Sequence, residues 1–491
     1  MINQLVKISR FAYCSDYQTT LVAFVVGIAL LLDLLFAPPG FCGNKYSQNH
    51  PSSADILILQ LKDGADQEKF DSLLQEVHCT LIKTLEFGPT LKFLVLQTEP
   101  GQAGKIEKRL RSNKDIARVE RNIHYRLENI PQTTKVTAKK KSKKTPSGKI
   151  IEKKYNKKSP TKHSTSSLSS LTSFSPKVLS SSNTPPPNPI PNDPFLSDQW
   201  DLTFMQYQQA RVANVMNFNT PVTMIFLDTG LNVISNELAT WAVQYDFSDP
   251  VNPTGAQEPL LDFGVHGTST AGVTDWTDND FGLAGMANWE GNRCFIIECR
   301  VCQSQTSGDP IVDVLAALSF IYNSSTISPA PINLSANSPP PNTVNADPMI
   351  QQAAQQLRQK GFLLVLSAGN DAANDTSPEL YCRRVAGIAQ NGTLSSFSDY
   401  GPFKAAAPAS NINSNCILYP PNYVGMNSGT SFAAPRWCAA IVDVMAALPA
   451  SKRTAVYADQ ILFQTATVTT DGWYVPNLQA AMQAAAKVNS N

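Results

Sequence analysis

The run Val222-Thr223-Met224-Ile225-Phe226-Leu227 is apolar almost throughout and does not alternate with polar residues. A strand of that kind is buried on both faces, and such strands belong to parallel sheets covered by helices on each side. Phe295–Val301, Pro331–Leu334 and Phe362–Leu366 repeat the pattern, and Ile311–Tyr322 and Met349–Lys360 carry helical spacing between them. From residue 194 to 491 the chain therefore predicts an α/β domain whose parallel sheet is covered by helices. In such sheets the reacting groups gather beyond the carboxyl ends of the strands, so residues that directly follow a strand are the first candidates for a site.

The rest of the 491 residues divides by composition. Residues 54–128 read as a small α+β unit of order βαββαβ, a ferredoxin-like split βαβ module. Its strands are Asp55–Leu61, Thr80–Leu85, Lys92–Gln97 and Ala117–Glu120, and its helices are Glu68–Val77 and Lys105–Arg111. Residues 129–193 are poor in aromatic and β-branched residues. They hold twelve lysines against one acid, Glu152, between Lys135 and Lys162, then serine- and proline-rich stretches. That composition buries too little apolar surface to offset the entropy of ordering, so it predicts a disordered, cleavable linker. Binding of a cell-surface polyanion is the sharper alternative. Because the basic excess is confined to this stretch of a chain with net charge +1, a nucleic-acid function is excluded.

Lys7 and Arg10 precede an apolar run from Leu21 to Leu32, short for a membrane span and suited to a signal-peptide core. Residues 1–43 are read as a signal peptide or an N-terminal membrane anchor. A secreted or cell-envelope protein follows, tethered if the segment is kept. Six of the nine cysteines, Cys294, Cys299, Cys302, Cys382, Cys416 and Cys438, lie late in the chain, where export would allow disulfides. The spacing of the first three lacks the second pair that a zinc site needs.

Four short stretches carry chemistry. Asp228-Thr229-Gly230 ends the first buried strand. His266-Gly267-Thr268 opens a helix, with Gly267, Ala271 and Gly272 small enough for close packing. Asn370 follows the buried strand Phe362–Leu366. Gly429-Thr430-Ser431 begins a long apolar helix that ends before Pro449, with Pro435 placed in its first turn. Each has an ordinary structural reading as a turn former or helix cap. Together they hold every part of acyl transfer: Ser431 as nucleophile, His266 as proton carrier, Asp228 to orient it, and the Asn370 amide with the Ser431 N–H for the oxyanion.

These blocks resemble the signature blocks of the subtilisin-like serine proteases: Asp228-Thr229-Gly230, His266-Gly267-Thr268-x-x-Ala271-Gly272 and Gly429-Thr430-Ser431-x-Ala433-x-Pro435. Ser367-Ala368-Gly369-Asn370 and Ser396-Phe397-Ser398-Asp399-Tyr400-Gly401 resemble two further segments. The resemblance spans about Asn192 to Ala485. It implies an α/β fold with the doubly wound, mostly parallel sheet of that family, and a serine endopeptidase that acts on proteins or peptides, needs no cofactor for catalysis and works as a monomer. It also implies that residues 54–128 are a propeptide acting as chaperone and inhibitor of the same chain. Ser335, Ala336, Asn337, Ser307 and Gly308 fall where the family binds substrate, with Asn337 at a position usually held by glycine. Glu237 and Asn279 fall where some relatives hold structural calcium. The competing readings are an inactive scaffold of the same fold, an esterase, and a surface-binding protein working through the lysine tract.

Overall fold

The computed structural model describes residues 55–127, 193, 195–212, 221–232, 242–248, 255–259, 262, 265–275, 283–287, 294–302, 308–415 and 424–488. The predicted leader at 1–43 and nearly all of the linker at 129–193 lie outside them.

The N-terminal unit runs β1 (Ile56–Leu61), α1 (Gln67–Glu76), β2 (Cys79–Phe87), β3 (Leu91–Thr98), α2 (Ala103–Arg111) and β4 (Ile116–Arg121). Its antiparallel sheet has the order β2-β3-β1-β4, as the βαββαβ reading requires. Asp66 starts α1 by accepting from the Lys69 N–H at 3.2 Å. In β1, Leu57 and Leu59 face α1 and α2 and pack with Phe70, Leu74, Ile106 and Leu110. Ile56 and Ile58 point the other way and are equally buried, because that face lies against the rest of the chain. A strand apolar on both faces needs a cover on both sides, and here the second cover is the large domain.

The large domain is built on eight strands in the order β15-β14-β13-β11-β6-β9-β7-β8. They are β6 (Val222–Asp228), β7 (Ala242–Asp246), β8 (Ala256–Glu258), β9 (Cys294–Arg300), β11 (Pro331–Leu334), β13 (Leu363–Ser367), β14 (Arg383–Ile388) and β15 (Ala406–Pro408). All neighbours are parallel except β7 and β8. Among the short strands outside this sheet are β10 (Asp309–Pro310) and β12 (Ala336–Asn337). The helices are α3 (Trp200–Phe204), α4 (Tyr207–Val212), α5 (His266–Asp275), α6 (Ile311–Asn323), α7 (Pro348–Gln359), α8 (Thr430–Ala447), α9 (Ala455–Gln464) and α10 (Leu478–Val488).

The central strand β6 shows why the sheet needs two helical layers. Met224 and Phe226 enter the core formed with α8, α9 and α10, while Ile225 and Leu227 enter the core formed with α6 and α7. The chain moves from β6 to β9 on one side, then crosses to β11 on the other. The crevice at the carboxyl end of β6 is therefore where this topology opens a site.

The N-terminal unit docks on the α6–α7 face. Its Glu86 carbonyl accepts from Ser319 Oγ at 2.9 Å and from Asn323 Nδ2 at 2.7 Å, and the Phe87 ring lies 5.9 Å from that of Tyr322. Pro310 is the N-cap of α6 and supplies no capping bond, and Asn122 Oδ1 accepts from the Val312 N–H at 3.0 Å in its place. Past β4 the chain forms β5 (His124–Leu127), which leaves the unit and inserts between β10 and β12.

Two expectations are corrected. Helix α8 begins at Thr430, so Pro435 is its sixth residue and not part of the first turn. Cys299, Cys382 and Cys438 are free, buried thiols, so the disulfides that export would allow are not formed at these three positions. Cys294 and Cys299 are five residues apart on one strand and point into opposite cores, so they cannot meet.

Candidate active site

Strand β6 delivers Asp228 to the crevice, fully buried. Its Oδ1 accepts from the Thr229 N–H at 2.7 Å, and its Oδ2 accepts from Thr270 Oγ1 at 3.1 Å. His266 Nδ1 lies 2.7 and 2.9 Å from the two oxygens. Nδ1 therefore carries the proton toward the carboxylate, which leaves Nε2 as the acceptor of the neutral ring. Nε2 is buried and has no hydrogen-bond partner.

The position of His266 depends on Asp262, which sequence reasoning missed. Asp262 Oδ1 accepts from Thr229 Oγ1 and from the Val265 N–H, both at 2.7 Å, and its Oδ2 accepts from Thr268 N and Oγ1 at 2.8 and 2.6 Å. Thr229 Oγ1 in turn accepts from the Gly267 N–H at 2.9 Å. Between these anchors Val265 is held at φ 64°, a left-handed conformation that a β-branched residue seldom adopts. That strained turn brings the chain into α5 with His266 leading. A Cβ at Gly267 would collide with the Gly230 carbonyl, so the expected close packing holds there. The readable signal was an aspartate four residues ahead of a helix start.

Burial opposes a charge on His266, but the Asp228 carboxylate in contact outweighs it and holds the imidazole above its ordinary value of 6.5. Two more buried carboxyls stand near. Burial, then Asp228, pushes Asp309 up to about 8. The same two causes lift Glu298 well above the carboxylate range, though Glu298 Oε1 still accepts from the Gly230 N–H at 3.2 Å. At that value Asp309 is largely protonated at neutral pH.

Ser431 is the second residue of α8, so its N–H is one of the four at a helix start that lack an intrahelical partner. Asn370 follows β13 and is fixed by the residue before Ser431. Its Oδ1 accepts from Thr430 N at 2.9 Å and from Thr430 Oγ1 at 3.1 Å. The amide nitrogen is thereby turned toward Gly429, where an added Cβ would stand 3.2 Å from Nδ2. Helices α5 and α8 pack on each other, with Val273 and Phe432 in one cluster. Ser431 Oγ donates to the Ser335 carbonyl at 3.4 Å and not to His266. The structure thus joins Asp228 to His266 directly, and Asn370 to the Ser431 turn through Thr430.

The expected substrate residues surround β5. Tyr125 pairs antiparallel with Asp309, and Arg126 and Leu127 pair with Asn337 and Ala336. Gly308 has φ 69°, and a Cβ there would collide with the Tyr125 carbonyl, so glycine lets the two backbones approach. Asn337 does not intrude on the cleft. Its Nδ2 donates to the Ala368 carbonyl at 2.6 Å and its Oδ1 accepts from the Val344 N–H at 3.1 Å. Ser335 Oγ is turned inward to the Ser431 carbonyl at 3.1 Å. Ser307, Glu237 and Asn279 lie outside the described residues. Among the described residues no group of three or more His, Cys, Asp or Glu is placed to hold a metal ion.

A family profile, Peptidase_S8 (Subtilase family), matches residues 219–486. The thermostable alkaline protease of Halalkalibacterium halodurans is 28% identical over 275 residues, covering 55% of this chain and 68% of that protein. Thermitase of Thermoactinomyces vulgaris is 31% identical over 259 residues, covering 50% of this chain and 81% of that protein. In fold, fervidolysin from Fervidobacterium pennivorans, a keratinolytic enzyme related to subtilisin, aligns with TM-score 0.61 at 15% identity, covering 87% of this chain and 61% of that one. The epidermin leader peptide processing serine protease of Staphylococcus aureus aligns with TM-score 0.57 at 14% identity, covering 88% and 98%. The chain belongs to the subtilase family of serine proteases.

Proposed function

We propose that the chain is an endopeptidase made as a self-processing precursor, with Asp228, His266 and Ser431 as its catalytic triad. Ser431 Oγ attacks the peptide carbonyl while His266 Nε2 takes its proton. Asp228 keeps the imidazole in the Nδ1–H tautomer and stabilises the imidazolium. The Asn370 amide and the Ser431 N–H hold the oxyanion, the proton on Nε2 goes to the leaving amine, and water then repeats the sequence on the acyl-enzyme. Ser431 Oγ, which donates to the Ser335 carbonyl in the resting chain, turns to Nε2 to become the nucleophile. Catalytic hydrogen bonds of this kind are often long until substrate binds. No cofactor enters these steps, and one chain supplies every group, in keeping with a monomer.

The observation that carries this reading is β5. A segment of the chain itself lies as an added strand between β10 and β12, the way a peptide substrate lies in a cleft. Residues 54–128 are then a propeptide that inhibits the domain it helps to fold, and 129–193 a linker removed on maturation. The first self-cleavage falls between Tyr125 and Asn129, a reading supported by Leu127 lying paired with Ala336 beside the Ser431 turn. The apolar run near the start of the sequence supports export, with residues 1–43 as signal peptide or anchor. No helix among the described residues is long and apolar enough to cross a membrane.

A fluorophosphonate probe and N-terminal sequencing test the reading together. The wild-type chain should take the label and show a new N-terminus in the Tyr125–Asn129 window, and Ser431→Ala should show neither. The same cut in Ser431→Ala would assign processing to another protease, and an unlabelled wild type would favour the inactive scaffold.

A further inference from the structure

The cleft receives the side chains of β5 in distinct ways, and one of them is chemically selective. Tyr125 is fully buried and shares an apolar cluster with Ile311, Leu315, Ala336 and Val344. Its phenol reaches the start of α7, where Oη donates to Asp347 Oδ2 at 2.7 Å. The same carboxylate is the N-cap of α7, and its Oδ1 accepts from the Met349 and Ile350 N–H groups at 2.8 and 3.0 Å. The two oxygens therefore have separate tasks. One holds the helix and the other faces whatever occupies the cleft. Asp347 cannot swing away without uncapping α7, so the acceptor is fixed in direction.

We infer that Asp347 is a specificity-determining residue, and that it makes the enzyme select peptides carrying a tyrosine two residues before the residue seated opposite Ala336. The inference rests on the reading of the domain as an active endopeptidase in which β5 lies as substrate does. Phenylalanine fills the same apolar space but leaves Oδ2 buried without a donor. A site built to bond a hydroxyl discriminates strongly against the analogue that lacks it. The adjacent contact is much less selective. Arg126 reaches Asp371 at 2.8 and 3.0 Å, but the two side chains are 59% and 34% exposed, and an exposed ion pair contributes little. Asp347 is 7% exposed, so its hydrogen bond is shielded from water.

The test uses the full-length chain, allowed to process itself, and two internally quenched peptides. One spans residues 122–131 and the other carries phenylalanine at the Tyr125 position. The ratio of their kcat/KM values does not depend on what fraction of sites is open. Wild type should favour the tyrosine peptide by about 10-fold or more, the worth of a hydrogen bond to a charged acceptor. Asp347→Ser keeps a hydroxyl cap for α7 and removes the second oxygen, so the ratio should fall to about 1. A wild-type ratio near 1 with both peptides cleaved overturns the inference and leaves the endopeptidase reading intact. Cleavage of neither peptide, with no fluorophosphonate label, overturns that reading and the inference with it. The wild-type ratio needs no variant, so a misfolded Asp347→Ser does not remove the test.

Discussion

Ser335 and Ser431 hold each other in a reciprocal pair: Ser335 Oγ donates to the Ser431 carbonyl at 3.1 Å, and Ser431 Oγ donates to the Ser335 carbonyl at 3.4 Å. The first bond answers a vacancy in the helix. The Ser431 carbonyl would accept from the N–H four residues on, and that residue is Pro435, which has none. The proline thus frees the carbonyl, and the strand that binds substrate supplies its donor. Nucleophile and substrate strand are tied by a bond that a regular helix would not need.

Ser335→Ala should leave that buried carbonyl without a donor and destabilise the chain by about 1–3 kcal/mol. At the size of this domain that is a fall in Tm of several degrees, about 2–4 °C per kcal/mol. The measurement belongs in a Ser431→Ala background, where self-cleavage is off and the carbonyl is kept. Adding Pro435→Ala returns an N–H within the helix and should recover part of the loss. An unchanged Tm in Ser335→Ala would show that the carbonyl finds another partner.

Asn370→Leu removes an oxyanion donor at similar volume. The loss should fall in kcat, by about 10²–10³, with KM little changed. Thr430→Val should lose less, since Asn370 Oδ1 keeps its 2.9 Å bond from the Thr430 N–H when the 3.1 Å bond from the hydroxyl is gone. A raised KM at unchanged kcat would move Asn370 from the oxyanion to substrate binding.

The pH profile follows from His266. Only the neutral imidazole accepts the Ser431 proton, so kcat/KM should rise with pH as His266 deprotonates. Contact with Asp228 favours the imidazolium and raises that midpoint, so the acid limb should lie above 6.5. Asp262 adds in the same direction, while Glu298 and Asp309 are themselves pushed up by burial and by Asp228. Asp228→Asn should move the limb down and lower kcat by about 10⁴. A wild-type limb at or below 6.5 would mean that burial outweighs the carboxylate.

Much of this architecture is legible in the sequence because it rests on local signals. The non-alternating run of β6 could only be a strand buried on both faces, and Asp228 at its end followed from that. His266 and Ser431 were readable as helix starts. What could not be read depends on partners far apart in the chain. Arg436 sits in the middle of α8, fully buried, because Asp201 of α3 meets it at 2.5 Å across more than two hundred residues. The bond from Ser335 that answers Pro435 is equally non-local, and so is the turn of the Asn337 side chain away from the cleft. Asp347 is not singled out by the sequence, and nothing local marks its second oxygen as facing β5.

Gly308 offers the sharpest test of how β5 is seated. Its φ of 69° and the absence of a Cβ let the Tyr125 carbonyl come close, and a side chain would meet that oxygen directly. Gly308→Ala adds both a strained backbone and a clash, so the strand must lift away from β10. The pairing of Leu127 with Ala336, which leads the chain toward Ser431, then loses its neighbour on the other side. First self-cleavage in the Tyr125–Asn129 window should slow by about 10-fold or more, since a small misplacement of a reacting bond can cost far more than its binding energy. Fluorophosphonate labelling of Ser431 should persist, because a small probe needs no extended strand. Time courses of N-terminal sequencing and labelling on the same full-length preparation separate the two effects. Unslowed cleavage with labelling intact would mean that the scissile bond reaches Ser431 without β5 lying between β10 and β12.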